Sequence, residues 1–429
     1  MDAVTEEAQE RAQDVLQQCS TDTGLKASVE RVGYPLVYAR DSMVSLLGAA
    51  LMPGNAFQTS FRRSLETLGA LQTDLGYIHR AIHLDTMTKD CNAFGSVDSN
   101  LWFIIGHYTY HRHYGDDAFL RQNWAGLEKA FLWLRYQDFN DCGLLEVHEG
   151  GDWEDLLSIH GNVLYDNALF AYAWDLMAEM AGALDIDATP YAGQGDVVRE
   201  KINLLLWVTR GGTDWRQPSV AERLAAITAS HQEWHWVAEE MLGVLWERPY
   251  YLQYVAYRHY GDYFDSLGNS LAILTTVADE TQAGQILDHV YRAGLNDPYP
   301  CKAMDPVIQP GSRDWRDYYR NRNLNLPHQY HNGGIWPMVG GFYVAALVKA
   351  GRLSEARQQL ANLARANKQG LHREWEFNEF LHGLNGRPLG AIGNAWSAGM
   401  YLFAYTAVQQ ETVPPPFDRA VLSKGECLV

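Results

Sequence analysis

Two stretches of this chain gather carboxylates around indole rings, the residue types that acid–base chemistry on a sugar would use. The first runs from Gly150 to Phe170 (GGDWEDLLSIHGNVLYDNALF) and sets Asp152, Glu154 and Asp155 around Trp153, just before a helical run. Carboxylates beside an indole are costly in a core. They make sense where a sugar face stacks on the ring and an acid serves its glycosidic oxygen. The alternative is a plain helix start, since Asp and Glu favour the positive end of the helix dipole. The second stretch, EWEFNEFLHGLNGRPLGAIGNAWSAGMYLFAY, places Glu374, Glu376 and Glu379 around Trp375 and Phe377, ahead of a turn at Asn385-Gly386. Two carboxylates on separate aromatic loops suit an inverting glycosidase. One acid protonates the leaving oxygen while a base activates water on the opposite face, across a gap of roughly 6.5–9.5 Å. Burial beside Trp and a second carboxylate would raise the acid's pKa.

Three further constellations could complete such a site. YPLVYARDSMVSLLGA holds Arg40 and Asp41: either a helix cap (Asp41 or Ser42) with a neighbouring ion pair, or an aspartate for sugar hydroxyls that Arg40 keeps ionised. In SVDSNLWFIIGHYTYHRHYGD, Asp98 or Ser99 reads as a cap and Trp102 as core. In QYHNGGIWPMVGGFYVAAL, Gly333-Gly334 permits close backbone approach and Pro337 fits a first helical turn. His331 and Asn332 would then be presented at a helix N-terminus.

His79 and His83, and again His231 and His235, stand at i,i+4, a metal-ligand spacing on a helix. Neither pair has a third ligand at recognisable spacing and the HExxH order is absent, so no metal is expected. His107, His111 and His113 read as surface or core polar groups. No phosphate-type glycine loop and no GxSxG elbow points to a cofactor or a serine nucleophile.

The elements that must position these residues are helical almost throughout. Apolar periodicity predicts helices over 4–18 (Val4, Ala8, Ala12 and Val15 inward), 41–51, 58–72, 98–114, 118–136, 161–184 and 194–208. It predicts more over 219–226, 236–246, 268–278, 282–292, 333–350, 353–367 and 393–409. No alternating strand set and no low-complexity linker stands out, so residues 1–429 read as a single domain. Helices arrive in pairs, and no fixed sequence period marks a solenoid. The expected fold is all-α, a closed (α/α)6 toroid. Long polar-aromatic loops at 34–41, 74–98, 138–160, 296–332 and 369–392 would gather at one face and carry function.

The totals fit a carbohydrate enzyme. The chain has 429 residues, 47% hydrophobic and 12% aromatic, enough for a large core. With 34 Lys+Arg against 52 Asp+Glu the net charge is −18, which disfavours nucleic acid and anionic membrane as partners. The 14 Trp and 24 Tyr lean toward sugar stacking. Five scattered cysteines (Cys19, Cys91, Cys142, Cys301, Cys427) without CxxC suggest a reducing compartment. No signal-type start, membrane-length apolar run or N-x-S/T sequon is seen, so the cytoplasm is expected.

In order, YARDSMVSLLGA, DSNLWFII, DWEDL…G…NAL, YHNGGIWP and NEFLHG..GRPLG…AWSAGMYL resemble the motifs of two families. These are the glycogen-debranching amylo-α-1,6-glucosidases and the alkaline/neutral invertases, both (α/α)6-barrel α-glycosidases. The resemblance runs from about Tyr34 to Tyr405. It implies Asp155 as general acid, with Asp152 as the alternative, Glu379 as general base with Arg387 on the following turn, and Arg40-Asp41 as the grip on the terminal sugar, with Tyr38 beside them. It extends the sugar site to Asp98 (with Trp102), His331, Asn332, Trp336 and Trp396, with Asp152 and Trp153 shaping it and Glu154 the least committed.

Two departures stand out: Ile335 replaces a Ser of the invertases, and WEDLL replaces their Ile-Asp-Arg-Arg segment. The chain has no room for the β-rich domain or second catalytic region of debranching enzymes, which points to a small soluble α-glucoside, sucrose-like, α-1,6-linked or glucosylglycerate-like. The resemblance implies no cofactor; the expected partner is a small carbohydrate, with a homo-oligomer as a further option. Two rivals remain. One is a sugar epimerase or isomerase on the same barrel, with His331, His79, His83 and His235 as acid/base groups. The other is a degenerate sugar-binding protein.

Overall fold

The computed structural model describes residues 2–30, 36–90, 95–208, 218–245 and 247–419; Tyr34, Cys91 and Cys427 lie outside the described residues. Fourteen α-helices are seen among them: α1 Ala3–Cys19, α2 Ala39–Ala49, α3 Gln58–Ala70, α4 Asp98–Tyr114, α5 Asp117–Arg135, α6 Leu164–Ala183 and α7 Gln194–Leu206. They continue with α8 Pro218–Ser230, α9 His235–Val244, α10 Ser266–Leu274, α11 Glu280–Arg292, α12 Pro337–Lys349, α13 Leu353–Lys368 and α14 Ala395–Gln410. Each falls on a segment whose apolar spacing predicts it, with ends shifted by a few residues.

Helices α2, α4, α6, α10, α12 and α14 pack each against the next, and α14 returns to α2 to close the ring. Helices α1, α3, α5, α7, α11 and α13 back them from outside, while α8 and α9 pair beyond α7. The division follows from sequence. Every residue of α2 and α10 is buried, as is almost every residue of α12 and α14, because, Arg40 and Asp41 of α2 apart, these helices are mostly apolar or small on all sides. The outer α3, α11 and α13 bury one stripe only. The architecture is the (α/α)6 toroid.

Ring closure needs two glycines. A Cβ on Gly48 of α2 would lie 1.8 Å from the Gly399 carbonyl of α14, and one on Gly399 would lie 2.3 Å from the Ser45 carbonyl. The backbones touch there because neither residue has a side chain.

The N-terminal ends of the inner helices share one face, where Arg40 meets Asp98, Tyr165 meets Asp98 and Trp336 meets Trp396. The opposite end is filled by Phe417, fully buried against Tyr172, Phe342 and Phe403. Lys349 at the end of α12 donates to the Phe417 carbonyl at 2.8 Å.

At the open face the long loops are organised by antiparallel strand pairs of two or three residues. Leu36–Tyr38 pairs with Ala81–His83, Asn162–Val163 with Tyr254–Ala256, Phe264–Asp265 with Met304–Asp305, and Phe380–Leu381 with Pro388–Leu389. Three of them lead straight into α2, α6 and α10. They are too short to show as alternation in sequence.

Two cap assignments need correction. Helix α2 starts at Ala39 with Tyr38 at the cap, so Asp41 and Ser42 lie inside its first turn. Asp98 is the first residue of α4, and its carboxylate caps nothing because long-range partners take it. His83 ends a strand, so His79 and His83 share no helix face.

Replacing Gly48 with Ala is expected to cost about 1–3 kcal/mol or more, since backbone on two helices must separate. Urea denaturation of the variant measures this, and a Gly182→Ala control, where no atom lies within 4 Å of the added Cβ, should not lose stability.

Candidate active site

The floor of the mouth is built from first-turn residues of the inner helices. Arg40 Nη1 donates to Asp98 Oδ2 at 2.7 Å, and Arg40 Nε lies 4.0 Å from Asp41 Oδ2. Asp98 also accepts from Ser96 and, at 2.9 Å, from the Tyr165 hydroxyl, which itself accepts from Trp102 Nε1 at 2.7 Å. Burial works against the Arg40 charge, but Asp98 and then Asp41 outweigh it and its pKa is raised. Burial pushes Asp41 up to about 6 although Arg40 and Arg80 pull it down.

The loop before α6 brings the first carboxylate cluster onto this floor. Asp152 Oδ1 accepts from the Glu154 N–H at 2.8 Å, while its Oδ2 has no partner among the described residues. Burial, then the Asp98 charge, push Asp152 up to about 8. Glu154 is 1% exposed; one oxygen accepts from Gln253 Nε2 at 2.6 Å and the other has no such partner. Burial, then Asp265 and Asp152, hold its pKa well above the usual carboxylate range. Asp155 differs: its side chain is 23% exposed and Oδ2 accepts from Arg80 Nη1 at 2.7 Å. Burial raises its pKa while Arg40 and Arg80 moderate the rise.

Two more acids complete the floor. Asp166 in the first turn of α6 is fully buried with both oxygens unpartnered among the described residues, and burial and Asp152 raise its pKa strongly. Asp265 caps α10, accepting from Leu267 N and Gly268 N at 3.0 and 2.9 Å, and burial pushes it up to about 7.

An aromatic wall rises beside these acids. The Trp153 ring meets His331 and Trp336 edge-on, at 5.1 and 5.7 Å. His331 stacks on Trp336 at 5.2 Å, and Trp336 in turn stacks on Phe380 and meets Trp396 edge-on. Burial, then Arg40, keep His331 neutral by lowering its pKa well below the usual value. Indole N–H groups of Trp153 and Trp396 have no partner among the described residues.

Glu379 stands next to Phe380 of this wall. It is buried, its Oε2 accepts from the Ala391 N–H at 3.0 Å, and its own N–H donates to the Ala391 carbonyl at 2.8 Å. Gly390 makes room, since a Cβ there would meet Glu379 Oε2 at 2.6 Å. The preceding turn is strained: Trp375 and Phe377 have φ of 60° and 46°. Glu376 holds it, accepting from the N–H groups of Leu371, His372 and Arg373; burial opposes its charge, but those three bonds lower its pKa. Glu374 is exposed beside Lys368.

Arg40, Asp41, Asp98, Asp152, Trp153, Asp155, His331, Trp336 and Trp396 are thus brought together. Tyr38 stands at the rim with the Arg80 guanidinium 5.7 Å above its ring. Asn332 is turned into the protein, its amide bonded to both backbone groups of Ile308 and to the Asn325 carbonyl. Arg387 is exposed in the turn between Phe380–Leu381 and Pro388–Leu389. His235 sits on α9, outside the ring, against Thr228. Sequence reasoning missed Arg80, Tyr165, Asp166, Gln253 and Asp265. Of these Asp265 carried a signal, an aspartate immediately before an apolar helical run. Among the described residues no three His, Cys, Asp or Glu side chains form a metal site.

By fold the chain is a six-hairpin, (α/α)6-barrel protein of the glycosidase type. The family model described as alkaline and neutral invertase matches residues 249–410, and the bacterial alpha-L-rhamnosidase 6 hairpin glycosidase domain matches residues 99–239. The chain is 33% identical over 144 residues to the probable alkaline/neutral invertase D of Arabidopsis thaliana, covering 32% of this chain and 26% of that protein. It is 22% identical over 354 residues to the mitochondrial alkaline/neutral invertase C of the same plant, covering 73% and 48%. The chain therefore spans about half or less of the curated relatives it matches.

Among solved structures, a mannosylglycerate hydrolase of Thermus thermophilus in complex with glucose superposes with TM-score 0.63 at 14% identity, over 92% of this chain and 99% of that one. A rhamnosidase from Klebsiella oxytoca with rhamnose bound gives 0.64 at 15% identity, over 95% and 64%. These likenesses establish the fold.

The raised pKa of Asp152 has a consequence for stability. A carboxyl that binds its proton more tightly folded than unfolded adds stability below its unfolded pKa, near 3.9, and loses that contribution as pH rises through about 8. The cost is up to about 1.4 kcal/mol per pH unit in that window. Asp152→Asn, which keeps the acceptor for Glu154 N, should flatten the fall of melting temperature between pH 5 and pH 8. Thermal melts across that range would show parallel curves if the carboxyl did not matter.

Proposed function

We propose that the protein is an inverting, exo-acting α-glycoside hydrolase, with a small soluble α-glucoside as its substrate and residues 1–429 as one catalytic unit. One observation carries this reading. A floor of buried carboxyl groups is driven toward the protonated form, and the aromatic wall beside it ends at Phe380, next to a second carboxylate, Glu379, on a different loop. Arg40 and Asp41 grip the terminal sugar, with Tyr38 at the rim, and Asp98 holds Arg40 in place. Asp152, Trp153, Trp336, Trp396 and neutral His331 shape the sugar pocket. Asn332 fixes the loop behind them, and Arg387 lies beyond the grip.

In the reaction Asp155 gives its proton to the glycosidic oxygen as the C1–O bond breaks. Glu379 takes a proton from water as the water oxygen bonds C1 from the opposite face, inverting the configuration. One water is consumed, and proton exchange with solvent resets both carboxyls. The step needs no metal or organic cofactor. Three buried cysteines without disulfide partners among the described residues, Cys19, Cys142 and Cys301, support a cytoplasmic location.

A second assignment of the acid has its own support. Arg80 pairs with Asp155 and favours its ionised form, whereas the neighbouring Glu154 has an oxygen without a partner among the described residues and a more strongly raised pKa. The two are separable by mutation. With sucrose, isomaltose, glucosylglycerate and mannosylglycerate as a panel, the acid's amide variant (Asp155→Asn or Glu154→Gln) should lose roughly 10²–10⁴ in kcat. It should keep activity on α-glucosyl fluoride, whose leaving group needs little protonation. Glu379→Gln should lose both. Wild-type-like turnover in Glu379→Gln, or in both acid variants, ends the assignment, and retained anomeric configuration by NMR ends the inverting mechanism. Conversion of a free reducing sugar with no bond cut would favour an epimerase instead.

A further inference from the structure

The loop that carries Trp153, Glu154 and Asp155 is gripped along its outer side by a second loop, residues 308–326. Ahead of the acids, the Tyr318 hydroxyl donates to Glu149 Oε1 at 2.6 Å. Past them, Asn325 Nδ2 donates to the Leu156 carbonyl at 2.8 Å. At Ser158 the contact is fullest. Its N–H donates to the Tyr319 hydroxyl at 2.8 Å, and its Oγ donates to the Asp314 carbonyl at 2.8 Å. The Tyr319 hydroxyl lies within 3.1 Å of that same carbonyl and can donate to it. Tyr319 is 1% exposed, so no solvent can replace its hydroxyl without rearrangement.

The gripping loop is itself tied down at two places. Asn332 holds both its ends, bonding Ile308 and Asn325. In the middle the Asp314 carboxylate accepts from His259 at 2.7 Å and from the Tyr263 hydroxyl at 2.6 Å. His259 lies in the strand that pairs with Tyr254–Ala256, which pairs with Asn162–Val163 at the end of the acid loop. The acid loop is thus bounded by two elements, and Asp314 joins them.

We propose that residues 308–326 act as a clasp on the acid loop and that Tyr319 is its positioning residue. Through Ser158 its hydroxyl sets where the carboxyl groups of Glu154 and Asp155 stand relative to the glycosidic oxygen. This rests on the glycosidase reading and deepens it. Proton transfer tolerates little error in placement, and a misplacement of about 1 Å can cost roughly 10²-fold. Removing the hydroxyl leaves the buried Ser158 N–H without its acceptor, so the loop must shift to find another.

The test is Tyr319→Phe, with Ser158→Ala as a milder second variant that keeps the bond from the Ser158 N–H. Rates are measured on whichever of sucrose, isomaltose and glucosylglycerate the wild type hydrolyses fastest, and on α-glucosyl fluoride. A misplaced acid should lower kcat on the O-glucoside by about tenfold or more, part of the ~10²–10⁴ that general acid catalysis supplies. KM, and the rate on the fluoride, should stay within about twofold. Ser158→Ala should show a smaller loss of the same pattern. Equal loss on both substrates, or none on either, overturns the proposal. Amide hydrogen exchange gives a readout independent of catalysis. Residues 156–160 should exchange faster in Tyr319→Phe while α12 is unchanged, and unchanged exchange at 156–160 also overturns the clasp. Should the wild type hydrolyse none of these compounds, the glycosidase reading has failed and the exchange result alone decides the clasp.

Discussion

The guanidinium of Arg40 is the charge on which the mouth of the barrel depends. Four carboxyl groups, Asp41, Asp98, Asp166 and Asp265, sit at the caps or first turns of inner helices. The helix dipole favours negative charge there, but by about 0.3–1 kcal/mol each, up to ~2 when partly buried. Removing a carboxylate from water costs several kcal/mol. The dipole therefore cannot keep all of them ionised. Asp98 has Arg40 as a direct counter-charge. Asp152, Glu154 and Asp166 have no such bond to it, and burial turns them toward their protonated forms. The floor is thereby divided between acids beside the Arg40 guanidinium and acids that burial drives toward their protonated forms.

A floor of this kind holds only if the loops above it are fixed, and several devices fix them. Short strand pairs bind the loop ends to one another, Asn332 pins residues 308 and 325, and Glu376 draws three N–H groups onto one carboxylate. The turn before Glu379 places two aromatic residues at positive φ, each costing about 1–3 kcal/mol. Such strain persists only where the surroundings over-determine the backbone, and here Glu376 and the Glu379–Ala391 pairing do so. The Glu379 loop is strained and held locally, whereas the loop of Glu154 and Asp155 is held from outside by its neighbour. Two different solutions serve the two carboxylate loops.

The helical framework was legible in sequence because the inner helices are apolar or small around most of their length and the outer helices on one stripe, both local signals. The order of the motifs also reached the right fold, since resemblance samples the whole chain. What was not legible depends on partners distant in sequence. Asp98 looks like a cap by spacing, and only the approach of Arg40, 58 positions earlier, gives it another task. Asn332 stands in a glycine-rich turn that suggests a ligand contact, yet its amide closes on Ile308, 24 positions away. Arg80 carried no motif at all and reaches Asp155 across 75 positions. Pairs of strands two residues long leave no period to read.

Adjacent residues in the acid loop show why spacing alone could not rank them. Glu154 and Asp155 point to opposite environments from one short turn: Glu154 inward to Gln253 and the Asp265 charge, Asp155 outward to Arg80 at the rim. The inward group is the more strongly held in its protonated form, and the outward group is the more exposed. Proton affinity and access pull apart on this loop, and the element that settles their balance is whatever fixes the loop's tilt. The ring is shared with barrels at 14–15% identity, one solved with glucose bound and one with rhamnose. Above that ring Arg80 lies over Tyr38, and residues 308–326 hold the loop that carries Glu154 and Asp155 through Ser158 and Leu156.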